Sequence, residues 1–132
     1  MRKVVKRRRK QRNALSEYNI PKRPKYLAST TYCVNTGIGR AYITITEYKS
    51  KPFEIFISLG KTGTILNNLA NSIARLASVM LRAGLPPALI IKQLIDITDI
   101  QVWDDGKQIK SLPDAVAKTL KKHIKELKCL NS

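Results

Sequence analysis

The apolar pattern of this 132-residue chain switches after residue 60 from a period of two to a helical spacing, and that switch dictates a sheet first and helices packed on it afterwards. Tyr42, Thr44 and Thr46 alternate with Ala41, Ile43 and Ile45, the pattern of a strand with one buried face. The β-branched and aromatic run Thr30–Val34 precedes it across the turn residues Asn35, Gly37 and Gly39. Phe53–Leu59 follows it across the polar turn 48–52. Three sequential strands with short links predict an antiparallel meander. Past Gly60-Lys61-Thr62-Gly63-Thr64 the spacing becomes helical: Leu66, Leu69, Ile73, Leu76, Ala77 and Met80 recur over five turns, and Gly84 supplies the stop. Pro86-Pro87 opens a shorter helix reaching about Ile95, with Leu89, Ile90 and Leu94 on its apolar face. Ile100–Trp103 reads as one more strand, closed by the turn Asp104-Asp105-Gly106. Ser111-Leu112-Pro113-Asp114 has the spacing of a capping box, and Val116, Leu120, Ile124 and Leu127 line the helix it starts. The fold class is therefore α+β, a three-stranded antiparallel sheet packed against two to three helices. Leu69, Ile73, Leu76 and Met80 are expected to face the sheet, against Ile43, Ile45, Ile55 or Ile57.

The first 25 residues obey neither period. They hold 11 of the chain's 25 bases and one of its nine acids, and eight of the first twelve residues are Lys or Arg. A like-charge block with so little apolar area does not collapse, so a disordered arm that meets a polyanion is expected. Pro21 and Pro24 interrupt any helix in the linker, while Tyr18, Ile20, Tyr26 and Leu27 are available to pin it to the body. The division is arm and linker over 1–28 and an α+β domain over 29–132. A domain of about 100 residues has one modest core, and a three-stranded sheet has two open edges. A symmetric homo-oligomer, most simply a dimer, is expected on both grounds.

Chemistry has little to build on. No apolar run reaches membrane-spanning length, and the basic block precedes no apolar stretch of a secretory signal. Cys33 and Cys129 are too few and too distant for a zinc site or a disulfide framework. The reading is an intracellular protein, cytoplasmic or nucleoid-associated, with neither metal nor cofactor. His123 lies among Lys121, Lys122 and Lys125 and reads as a solvated surface residue; Asp104, Asp105 and Asp114 read as turn and cap residues. Gly60–Thr64 lacks the length and the lysine position of a phosphate loop; a structural strand-to-helix turn is the favoured reading, with Lys61 as a candidate for a single backbone-phosphate contact. Tyr32 and Tyr42 sit where stacking is possible, although core packing is the favoured role.

Arg2, Lys3, Lys6, Arg7, Arg8, Arg9, Lys10 and Arg12 would gather polyanion charge, joined by Lys22, Arg23, Lys25 and Lys61. Lys118, Lys121, Lys122 and Lys125, with Lys128 beyond them, form a second basic surface on the last helix. The function expected is non-enzymatic binding of RNA, DNA or both through backbone phosphates, as an accessory protein in a nucleoprotein complex. The alternative is a protein-interaction or regulatory subunit.

Several stretches resemble one known family. Gly37–Ile45, Lys51–Gly63, Ala74-Arg75-Leu76, Leu81–Pro87, Lys92-Gln93-Leu94 and Ser111–Ala117 are similar, in order, to the TSCPD domain. That module is found at the C-terminus of adenosylcobalamin-dependent ribonucleotide reductases and in small stand-alone members. The resemblance spans roughly residues 30–122 and implies a shared scaffold. The family pattern has Cys at the positions of Ile38 and Leu112, so no thiol or metal role carries over to them. The alternative function follows from the same resemblance, as a regulatory subunit related to the reductase C-terminal domain.

Overall fold

The computed structural model describes residues 20–60 and 63–130. Three strands, β1 (Ala28–Thr36), β2 (Gly39–Tyr48) and β3 (Lys51–Leu59), form an antiparallel sheet in that order, as the alternation predicts. Register places Ile43 between Tyr32 and Ile57, and Ala41 between Val34 and Leu59. Those side chains share one face with Ile45 and Ile55, and that face is the floor of the core. Gly37 turns the first hairpin where a side chain would not fit, because a Cβ there would meet the Ile100 carbonyl oxygen at 2.3 Å. The second hairpin turns through Lys49 and Ser50, both at positive φ (52° and 62°), a conformation that usually recruits Asn or Gly.

Helices α1 (Thr64–Arg82), α2 (Pro87–Leu94) and α3 (Leu112–Leu130) complete the body. The face that α1 buries is Ala70, Ala74, Ala77 and Leu81, with Leu66, Ile73 and Met80 half-buried beside it. Two residues expected to face the sheet point away from it: Leu69 is 57% exposed and Leu76 68%. The spacing marked the helix correctly, but its largest side chains do not mark its buried face. A polar row on α1 lies along the free edge of β3. Ser78 Oγ accepts from the Ile55 N–H at 2.9 Å and donates to the Ile55 carbonyl at 3.0 Å, and Asn67 Oδ1 accepts from the Leu59 N–H. One of the two expected open edges is therefore covered.

The strand expected at 100–103 is displaced to β4 (Val102–Asp104) and pairs with a strand absent from the sequence reading, β5 (Lys107–Ile109). Asp105 and Gly106, both at positive φ, turn this small hairpin. α3 then starts at a dense polar joint. Ser111 Oγ accepts from the Asp114 N–H, and the buried Asp114 carboxylate accepts from the N–H groups of Asp96 and Lys110 at 2.8 and 2.9 Å. The joint lets Leu112, Ala115, Val116 and Leu120 enter the core beside Ile90 of α2.

Candidate nucleic-acid interface

The alternation that buries Ile43 and Ile57 turns Tyr42, Thr44, Phe56 and Ser58 outward, with Tyr42 opposite Ser58 and Thr44 opposite Phe56. Thr31 and Cys33 of β1 extend this outer face and are exposed. Tyr42 is 41% exposed and Phe56 49%, so two rings stand in solvent on neighbouring strands. The polar flank of α1 walls the β3 side, where Asn71, Arg75 and Arg82 join the two rings around a groove of about 540 Å³. On the same face, two residues before Tyr42 on β2, lies Arg40. Hydrogen bonding to the Tyr42 hydroxyl, the largest cause, holds its guanidinium above even its usual high range. Glu54 also reaches the groove lining, but it is buried and paired with Arg23. Cationic groups flank an aromatic surface.

The basic residues expected to bind phosphate divide into groups. Arg2, Lys3, Lys6, Arg7, Arg8, Arg9, Lys10, Arg12 and Lys61 lie outside the described residues. Lys22 and Lys25 are exposed on the linker, Lys25 stacked over the Tyr26 ring. Tyr26 itself is exposed, so it does not pin the linker. Arg23 does, through its Nε on both oxygens of Glu54 at 3.0 and 3.1 Å, and Arg82 adds a bond to the Pro21 carbonyl. Lys118 is also engaged internally, 2.6 Å from both Asp114 Oδ2 and the Gln108 carbonyl. Lys121, Lys122, Lys125 and Lys128 remain exposed along α3, and among the described residues none of the four forms an ion pair.

His123 is not a surface residue: it is 2% exposed. Its Nδ1 lies 2.9 Å from the Tyr32 hydroxyl, which also donates to Glu126 at 3.0 Å. Nε2 lies 3.0 Å from Glu47 Oε1, in a geometry that falls short of a hydrogen bond. The lysines around His123 concealed its place, yet it stands three residues after Leu120 and seven after Val116, the spacing of the inward stripe. Carboxylate, imidazole and hydroxyl together resemble a nucleophile relay, but the electrostatics oppose one. Burial first, then Glu126 and Glu47, push the Tyr32 hydroxyl up to about 12, so it stays protonated at neutral pH. The cluster ties α3 to β1 and β2.

A concavity of about 810 Å³ lies between the β2–β3 turn and the ends of α1 and α3. Its lining includes Phe53, Leu85 and Leu127 with Lys49, Lys51 and Lys128, and it contains no carboxylate, histidine or cysteine. Among the described residues no group of three or more His, Cys, Asp or Glu is placed to hold a metal ion. Nor is any helix there long and apolar enough to cross a membrane.

The family model of the TSCPD domain matches residues 16–124, which takes in the linker as well as the sheet and helices. This chain belongs to the TSCPD domain family. No curated protein and no solved structure matches it. Two of the stretches that carry the TSCPD resemblance have structural work here: Ser111–Asp114 forms the joint before α3, and Gly37 admits Ile100 against the first hairpin.

Proposed function

We propose that this TSCPD-domain protein is a non-enzymatic nucleic-acid-binding accessory protein that holds RNA or DNA largely through backbone phosphates. The observation that carries the reading is the one-sided availability of charge. The chain has 25 bases against nine acids, and Glu54, Asp96 and Asp114 are already paired within the fold. Among the described residues Lys121, Lys122, Lys125 and Lys128 of α3 form no ion pair, and the arm adds eight more bases within twelve residues. Excess cations without internal partners bind polyanions by releasing condensed counterions.

Deleting residues 2–12 tests this. The body keeps every core side chain, so its urea melt is expected to be unchanged. The slope of log affinity against log salt for duplex DNA is expected to flatten by up to about 7, the full release for eight phosphate contacts. Unchanged affinity and slope would overturn the assignment of the arm. A second reading, a protein-interaction or regulatory subunit, is favoured by the exposed leucines of α1. We take that surface as the seam of a homodimer, which brings two arms to one particle.

A further inference from the structure

We infer that the outer face of the sheet is a stacking platform for the bases of a single-stranded polynucleotide, with Tyr42 and Phe56 as the two stacking rings. The inference rests on the nucleic-acid reading above and deepens it, because phosphate contacts alone do not distinguish a single strand from a duplex. Three features of the face favour this occupant. The rings lie on adjacent antiparallel strands two register positions apart, Tyr42 opposite Ser58 and Phe56 opposite Thr44, so they are diagonal neighbours on one surface. Both are about half exposed although aliphatic side chains fill the opposite face, so the core does not use them. Guanidinium groups border them: Arg40 stands two residues before Tyr42 on β2, and Arg75 lies in the α1 wall, where Arg82 is already bonded to the Pro21 carbonyl.

Aromatic rings bordered by guanidinium groups suit a strand whose bases turn inward and whose phosphates turn outward. A duplex keeps its base faces stacked on one another and has none to offer. A hydrophobic peptide would gain nothing from Arg40 and Arg75. Asn71, in the same wall, has an amide that can pair with a base edge. Asp104 is the carboxylate that acts on Arg40, and it is held by the Asn35 side chain at 3.0 Å.

The test uses the full chain with a dye-labelled 20-mer of deoxythymidine and a duplex of equal length, each titrated at the same series of salt concentrations. Tyr42→Ala and Phe56→Ala are each expected to lower single-strand affinity about fivefold or more, with duplex affinity and salt slope unchanged. Phe56→Trp keeps a ring, and its emission is expected to be quenched when the single strand is added. This arm of the test holds even if an alanine variant folds poorly. Wild-type single-strand affinity in the Tyr42→Ala/Phe56→Ala double variant, with no quenching in Phe56→Trp, would overturn the platform and leave the arm's role standing. Failure of the wild-type chain to bind either probe at low salt would overturn the nucleic-acid reading itself, and the platform with it.

Discussion

Asp114 has no exposed surface, and its two oxygens take bonds from three donors: the Asp96 N–H on Oδ1, the Lys110 N–H and the Lys118 ammonium on Oδ2. Desolvation alone would raise its pKa. The bond from Lys118, followed by those from the two backbone groups, outweighs it and holds the carboxyl below the ordinary range. A carboxylate with a lowered folded-state pKa contributes stability that is complete above the unfolded value, about 4, and is lost as pH falls through the folded one. Asp114→Asn keeps the shape but turns an NH₂ toward at least one of the three donors. The expected loss at pH 7 is about 3 kcal/mol, the low end for a broken buried pair, because Lys118 keeps partial access to water. Urea melts between pH 7 and pH 2 check both parts. The variant should also lose less stability below pH 4 than the wild type, and parallel acid limbs would show that the charge of Asp114 is immaterial.

At the scale of elements, α1 shows what sequence patterning conveys and what it omits. Its buried side consists mostly of Ala70, Ala74 and Ala77, small residues that let the helix lie close along β3 while Ser78 reaches the strand backbone. Ala74→Leu is therefore expected to destabilise the fold by about 1–3 kcal/mol through overpacking, although leucine is a good helix former. A melt indistinguishable from wild type would mean that this face has room the packing does not show. The same geometry explains the mistaken face. Periodicity weighs large apolar residues most, and here Leu69 and Leu76 belong to an outer stripe while alanines do the inner packing. The strands were legible because alternation of period two leaves only two faces to choose between. The register that brings Tyr42 beside Phe56 comes from turn geometry, and the engagement of Lys118 and Arg23 comes from tertiary partners, so neither was legible in the linear pattern.

For the whole molecule, the outer stripe of α1 sets the form of the proposed dimer. Ile65, Leu69, Ser72, Leu76, Val79 and Ala83 follow one another at alternating steps of four and three, the 3.5-residue period of a packed helical seam. All four large members are exposed. The stripe is also symmetric about Ala74. Antiparallel pairing across a two-fold axis sets Ile65 opposite Ala83, Leu69 opposite Val79 and Leu76 opposite Ser72, a larger side chain against a smaller one at each step. α1 has no acid and only Arg75 and Arg82 as bases, whereas α3 has five lysines, so two strongly basic chains meet with little repulsion along α1. Light scattering across a concentration series is expected to report a dimer. Leu69→Glu/Leu76→Glu should shift it to monomer with an unchanged circular dichroism spectrum, because both sites are exposed within one chain. The double variant should also lose affinity for long polynucleotides far more than for a 10-mer, since a short strand cannot engage two arms at once. A dimer that survives the two glutamates would move the contact from the helix to the uncovered edge of β1, and a chain monomeric at every concentration would leave the leucines to a different protein partner.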